Sequence, residues 1–397
     1  MFQHLSPLAP DPILGLMQAF RADNNAHKID LGVGVYKDEQ GSTPVMRAVK
    51  EAERRLLATQ TTKTYVGPAG AVQYNELVAQ LILGKDLAAS TQSRRCTFQT
   101  PGGCGGLRLA AEFINKSNPG ARIFVSDPTW ANHIPLLGDA GLQIATYPYY
   151  DYATHSIKFD AMMTALQQAK VGDLVLLHGC CHNPCGADLN QEQWKAIRDL
   201  ALKNGFTPFI DLAYQGLGDG VDEDCFGVRL LGEAVPELIV VSSCSKNFGV
   251  YRERVGALTV ICETPASMKA SSSLIAATAR GIYSMPPDHG ATIVEMILSD
   301  AALRSDWESE LTDMRERING LRSLLVNRLK AAGVDRDFSF IQGEKGMFSF
   351  LGITVPQVQQ LVKDYSIYLV DSSRINVAGI NDANIEYLVQ SLKKVLK

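Results

Sequence analysis

A chain of 397 residues with 46% hydrophobic and 20% charged side chains has the composition of a globular protein, long enough for two or three domains and a large core. Its formal net charge of −4 gives no broad positive field, which argues against nucleic acid as a partner. The opening MFQHLSPLAPDPILG lacks the features of a signal peptide, no apolar run is long enough to span a membrane, and eight cysteines in so long a chain read as reduced thiols, so a cytoplasmic location is expected.

The first ten residues, with Pro7 and Pro10, read as an extended arm that frays or lies across a partner subunit. In DPILGLMQAFRAD, Asp11 is placed as an N-cap and Pro12 at the first helical position. Ile13, Leu16, Met17 and Phe20 follow at helical spacing. From about residue 95 to 262 short apolar runs recur: ARIFVSDP, GLQIATYPYY, GDLVLLHGC, TPFIDLAY, ELIVVSSC and VGALTVIC. Helical segments such as NQEQWKAIRDLALKNG separate many of them. This alternation predicts an α/β fold with a mostly parallel sheet covered on both faces, in which ligands bind beyond the carboxyl ends of the strands. Farther on, Trp307, Leu311, Met314, Ile318, Leu321 and Leu325 alternate spacings of four and three. They predict one long amphipathic helix ending at Gly333 and packed on its own chain, since Gly320 interrupts any coiled-coil repeat. FSFIQGEKGMFSFLGI and SIYLVDSSRINVAGI then read as strands flanking helices in a smaller α+β domain.

The strand ends carry the chemistry. Trp130 and His133 follow one strand, Asn183 another, Asp211 and Tyr214 end a third, and Lys246 follows a fourth amid Ser243 and Ser245. A glycine-rich turn, QTPGGCGGLRLAAEF, feeds a helix whose N-terminus is a ready anion site. Taken singly, each has a plainer alternative: Asp211 a cap, Trp130 core, Lys246 a solvated strand end, the turn a tight connection. The turn also fails the dinucleotide fingerprint, because Arg108 stands where the third glycine belongs. The run HGCCHNPC brings His178, Cys180, Cys181, His182 and Cys185 together. Adjacent cysteines on a strand point to opposite faces and the spacing matches no common zinc pattern, so no metal is expected.

Jointly the set suits pyridoxal phosphate, which needs a lysine for a Schiff base, an acid beside its ring nitrogen and an anion site for its phosphate. Arg254, Ser243, Ser245 and the 102–106 turn would supply that anion site around Lys246.

The motifs IDLGVGVYKDEQGSTPV, TPGGCGGLR, DPTWANH, CCHNPCGADL, DLAYQG, SKNFGVYRERVGA, GMFSFLGI and SSRINVAG resemble those of the aspartate aminotransferase family, along nearly the whole chain. Related aromatic-amino-acid aminotransferases share most of them. The resemblance implies a type I pyridoxal-phosphate-dependent transferase fold with residues 1–12 as an arm on the partner subunit. It further implies a small domain of residues 13–44 and 313–397, and a large cofactor domain of residues 45–312. It implies a homodimer with shared sites. Lys246 matches the Schiff-base lysine, Asp211 the partner of the ring nitrogen and His133 the support of that carboxylate. Tyr214 and Asn183 match the ring-oxygen ligands, and Trp130 the stacking residue. Gly103, Cys104, Ser243, Ser245 and Arg254 match the phosphate site, joined by Tyr65 of the second subunit. Arg374 matches the binder of the substrate α-carboxylate and Arg280, from the second subunit, that of the distal carboxylate. Gly34 lies at the substrate entrance. Cys104, Cys185, Cys244 and Met285 depart from the commoner threonine, threonine, aromatic and asparagine, which leaves fine substrate preference and the tightness of phosphate binding open. The implied reaction is reversible transamination between L-aspartate and 2-oxoglutarate, with aromatic amino acids as the alternative donors.

Overall fold

A computed structural model describes residues 2–7 and 12–397. The chain divides into two compact units, Met1–Thr43 with Arg317–Lys397, and Pro44–Glu316.

The larger unit is built on a seven-stranded sheet. Its strands are β1 (Arg95–Pro101), β2 (Arg122–Asp127), β3 (Gln143–Pro148), β4 (Leu174–His178), β5 (Thr207–Leu212), β6 (Leu238–Ser243) and β7 (Val255–Ile261). They lie in the order β1-β7-β6-β5-β4-β2-β3. All neighbours are parallel except those of β7, which is antiparallel to both β1 and β6. The six apolar runs read from the sequence are β2 to β7. The seventh strand, β1, escapes that reading because it is an edge strand of mixed polarity, in which Arg95, Thr97 and Gln99 face β7 across Ile261, Thr259 and Ala257.

Register places the chemistry. His178, Asp211 and Val241 are in line across β4, β5 and β6, so these parallel strands end at one level. The chain leaves β2 for β3 on one side, then returns past β2 to lay down β4, β5 and β6 on the other. That reversal beside β2 is where an α/β sheet opens a crevice. Helices cover the sheet. Helix α1 (Gly102–Ser117) follows β1 directly, and α2 (Gln191–Asn204) carries a capping box from Asn190 and Gln193 and ends at Gly205 in the left-handed region. Phe98, Leu107, Ile123, Val241, Leu258 and Ile275 belong to the core on one face.

In the smaller unit, Ile29–Asp30 pairs parallel with Ile367–Tyr368, and Phe348–Phe350 antiparallel with Arg374–Asn376. Leu31, Leu325, Phe338, Val358, Ile375 and Leu388 are in its core. Arg322 is buried there and donates to the carbonyls of Ile341, Gly346 and Phe348, satisfying a turn and a short strand that have few ladder partners. The first helix runs Pro12–Ala22, with Ile13, Leu16, Met17 and Phe20 half-buried and Leu14 exposed. Asp11, expected as its cap, lies outside the described residues, as do residues 8–10 of the arm; Phe2 and Leu5 are exposed.

The long helix spans Ala301–Ala331, and all six stripe residues are buried. Within the larger unit Trp307 stacks on Phe248 with ring centroids 4.4 Å apart, and its indole N–H donates to the Asn247 carbonyl at 2.7 Å. This contact holds the segment directly after Lys246. Trp307→Ala should cost about 3–5 kcal/mol from the lost burial and the cavity. It should lower the thermal midpoint far more than Trp307→Phe, which keeps the stack and loses only the hydrogen bond. Equal midpoints for the two variants in a thermal melt would contradict this account.

Candidate active site

Five expected residues lie just beyond the carboxyl ends of the parallel strands. Lys246 is three residues past β6, Tyr214 two past β5, and Asn183 five past β4, while Trp130 and His133 follow β2. Asp211 sits on β5 itself. His133, Asp211, Asn183 and Tyr214 are buried and Trp130 is partly exposed.

Asp211 anchors a polar chain. Its Oδ2 is 2.9 Å from His133 Nε2, and His133 Nδ1 is 2.8 Å from Thr129 Oγ1, which in turn lies 3.1 Å from His178 Nε2. Trp130 meets His133 edge to face, with centroids 5.3 Å apart. Burial pushes the Asp211 carboxyl up, but the His133 hydrogen bond and the nearby positive charges outweigh it and hold the group below the ordinary carboxylate range. The site therefore keeps an anion in a buried place. Thr129 and His178 received no role from the sequence; the signal available was the i, i+4 spacing of Thr129 and His133 across the first turn after β2.

Lys246 lies with Nζ 4.5 Å from the centre of the Tyr214 ring. Burial pulls its pKa below the ordinary lysine value of 10.5; Asp211 opposes that shift and Arg254 reinforces it. A lysine so placed is an amine more readily neutral than one in water, which is what a nucleophile requires.

Beside it is a cradle for an anion. Helix α1 starts at Gly102 without a side-chain cap, leaving its first N–H groups available. Gly102 has φ 72°, and a Cβ there would fall 2.3 Å from Arg254 Nη2; one on Gly103 would sit 3.1 Å from Ser243 Cβ. Arg254 Nη1 is 3.3 Å from Ser245 Oγ, and the Ser245 N–H donates to Ser243 Oγ at 3.2 Å. Cys104, half-buried in the first turn of α1, accepts from Asn132 Nδ2 at 3.5 Å. Cys244 instead faces the Tyr74 hydroxyl at 3.6 Å, within the large-unit core. Backbone N–H groups, two hydroxyls, an arginine, a buried carboxylate and a buried amine match the phosphate, ring nitrogen and aldehyde of pyridoxal phosphate. The residues present fit that cofactor.

The smaller unit holds Arg374 and Gly34. Arg374 is buried, donates to the Gly32 carbonyl at 2.7 Å and has its guanidinium carbon 4.4 Å from the centre of the Phe348 ring. A Cβ on Gly34 would fall 2.8 Å from Phe348 Cζ. Phe348 thus forbids a side chain at Gly34 and supports the arginine, a role the sequence did not reveal. Tyr65 and Arg280 are exposed on this chain, Tyr65 at 87%, and neither joins the Lys246 group here. Arg280 hydrogen-bonds Ser284, and no carboxylate among the described residues pairs with it.

The cysteine–histidine run behaves differently from the expectation. Strand β4 ends at His178, and Cys181 has φ 51°, so side chains no longer alternate faces. The carboxylate of Asp188 accepts the N–H groups of Cys181 at 2.6 Å and His182 at 2.7 Å, and holds that turn. Cys180 and Cys181 consequently bring their sulfurs within 4.8 Å of each other and of the Asp224 carboxylate, which corrects the opposite-face argument. The histidines go elsewhere: His178 to Thr129, and His182 to Ser126 at 3.0 Å and Cys185 at 3.1 Å.

Residues 26–392 match the family model described as aminotransferase class I and II. The chain is 47% identical over 396 residues to an aspartate aminotransferase of Haemophilus influenzae, covering all of both chains. It is equally 47% identical, over 396 residues and all of both chains, to an aromatic-amino-acid aminotransferase of Paracoccus denitrificans. Among solved structures it is similar to an aromatic-amino-acid aminotransferase from Burkholderia pseudomallei covalently bound to pyridoxal phosphate, with TM-score 0.97, 42% identity and full coverage of both chains.

Labelling the amines of the cofactor-free protein as a function of pH should show Lys246 inflecting below 10.5. Because the Asp211 charge raises that value, Asp211→Asn should move the inflection lower still. An upward move, read by mass spectrometry of the Lys246 peptide, would contradict the electrostatic account.

Proposed function

From the premise that this chain belongs to the aminotransferase class I and II family, and is a pyridoxal-phosphate-dependent transaminase, we propose that it passes an amino group reversibly between L-aspartate and 2-oxoglutarate, giving oxaloacetate and L-glutamate. The single observation that carries the dicarboxylate reading is the pair of arginines, Arg374 buried on its strand and Arg280 exposed without a carboxylate partner among the described residues. Bidentate guanidinium forks at both ends of a short dicarboxylate select its length and charge in a way lysines would not.

In this reading Lys246 would hold the cofactor covalently, Asp211 would serve its ring nitrogen, Tyr214 and Asn183 its ring oxygen, and Trp130 its ring face. Gly103, Cys104, Ser243, Ser245 and Arg254 hold its phosphate. The bound cofactor supplies an electron sink for the pair left when the substrate Cα–H bond breaks. The protein supplies the rest. Asp211, kept ionised through His133, holds a positive charge at the ring nitrogen. Lys246 Nζ would act as the general base that takes the Cα proton and delivers it to the cofactor carbon. Its depressed pKa suits that work, since a lysine held at 10.5 would be almost wholly protonated near neutrality. Arg374 fixes the α-carboxylate, and the Phe348 ring beneath its guanidinium limits where that carboxylate can sit.

The active form is proposed to be a homodimer, with Tyr65 completing the phosphate site and Arg280 the distal-carboxylate site of the other subunit. The exposure of both residues supports this, as do Phe2 and Leu5 in the arm, exposed at 75% and 73%. The arm, residues 1–12, is proposed to lie on the partner, with residues 13–44 and 313–397 as the small domain and residues 45–312 as the large one. A cytoplasmic setting is proposed as well; no helix is long and apolar enough to cross a membrane, and the described residues contain no disulfide.

A second reading, aromatic amino acids as preferred donors, is favoured by the likeness to the Burkholderia pseudomallei structure. Catalytic efficiencies on aspartate and phenylalanine, each with 2-oxoglutarate, decide between the two. With aspartate as the preferred donor, Arg280→Val should lower kcat/KM for aspartate by on the order of 100-fold or more and that for phenylalanine by only a few-fold. Equal losses would remove Arg280 from the site. Lys246→Ala should abolish both activities, and borohydride reduction of the holoenzyme followed by peptide mapping should tag residue 246.

A further inference from the structure

The larger unit contains a second cluster that transamination does not use. A cavity of about 790 Å³ is lined by Cys180, Asp188, Asp219, Asp222, Glu223 and Asp224 among others. Six of its sixteen lining residues are acidic, and the one cation among them, Arg229, is paired with Asp222. Cys180 and Asp224 are buried at this wall, next to buried Cys181. The two sulfurs and a carboxylate oxygen of Asp224 lie within 4.8 Å of one another.

We propose that Cys180, Cys181 and Asp224 bind one thiophilic divalent cation, with Zn²⁺ as the representative ion, whose fourth coordination position faces the acidic cavity.

The donor chemistry is right for such an ion. Two thiolates and one carboxylate are a soft-to-borderline set that favours zinc over calcium or magnesium. Tetrahedral zinc with bonds of about 2.0–2.3 Å sets its ligands roughly 3.3–3.8 Å apart, so the present separations need to contract by no more than about 1.5 Å. The frame behind the ligands is built. Asp224 accepts N–H groups from Gly216 at 2.8 Å, Gly218 at 2.9 Å and Asp219 at 2.8 Å. That uses three of a carboxylate's four or so lone-pair positions and fixes its orientation, with one left for a metal. Asp188, through the Cys181 and His182 N–H groups, holds the left-handed turn that brings the two sulfurs to one side. The cavity provides entry and concentrates cations by its charge. On binding, the two thiols each lose a proton to solvent as the metal–sulfur bonds form, so uptake releases protons and no oxidant or reductant is involved. Neither His178 nor His182 is needed, which is why zinc-pattern spacing in the sequence does not disclose the site.

The test uses the thiol-reduced holoenzyme, stripped with chelator, equilibrated with slight excess Zn²⁺, desalted and analysed for metal per chain. About one zinc per chain is expected, falling at least tenfold in Cys180→Ser and in Cys181→Ser. Cys185→Ser, outside the triad, should retain it. In the unmodified protein Co²⁺ should give thiolate-to-metal charge-transfer bands, a readout that needs no variant to fold. Less than a tenth of an equivalent of zinc, absence of those bands, or zinc retained in both serine variants would overturn the proposal. Zinc captured by the cofactor site instead would show itself as the last of these.

Discussion

The site depends on keeping a charged carboxylate where water does not reach. Asp211 is buried on a central strand, and its ionisation survives because His133 hydrogen-bonds it and Thr129 and His178 continue the chain behind. The Lys246 amine senses that charge and the opposing guanidinium of Arg254. Remove the anion and the local field at the amine disappears, and with it the proposed partner of the ring nitrogen. A buried charge without partners would be costly enough to neutralise itself, so the histidine support is a condition of the chemistry.

The fold delivers these groups by register. Parallel strands β4, β5 and β6 end level, which places Asn183 and Lys246, more than sixty positions apart, on one rim. The backbone then does what side chains cannot. At Gly102 the left-handed turn and the absence of a Cβ let Arg254 come against the start of α1, so that the helix N-terminus, hydroxyls and guanidinium share one place. In the smaller unit the close approach of Gly34 and Phe348, under Arg374, is the same kind of constraint. Arg322 contributes indirectly, since its guanidinium binds the Phe348 carbonyl and so holds the strand that presents the ring.

The turn after β4 serves two ends at once. Its left-handed Cys181, held by Asp188, carries the chain on to Asn183 on the active-site rim. The same conformation aims Cys180 and Cys181 at Asp224 and the acidic cavity. That cavity therefore borders a segment two residues from Asn183, the amide proposed to meet the cofactor.

Sequence alone determined the alternation of strands and helices, because fully buried parallel strands must be continuously apolar and their ends must carry the polar residues. Four interior parallel strands, the buried antiparallel β7, the stripe of the long helix and the residues on the rim were legible for that reason, whereas the edge strand Gln143–Pro148 was legible only as a short apolar run. The edge strand Arg95–Pro101 was not legible, since Arg95, Thr97, Gln99 and Thr100 interrupt its apolar run although most of the strand is buried. The Thr129 link, the Phe348 support and the convergence of Cys180 with Cys181 were decided only by tertiary structure. Each arises from a turn conformation or a contact between residues distant in the chain, and neither residue type nor spacing encodes which way a side chain points once a strand has ended.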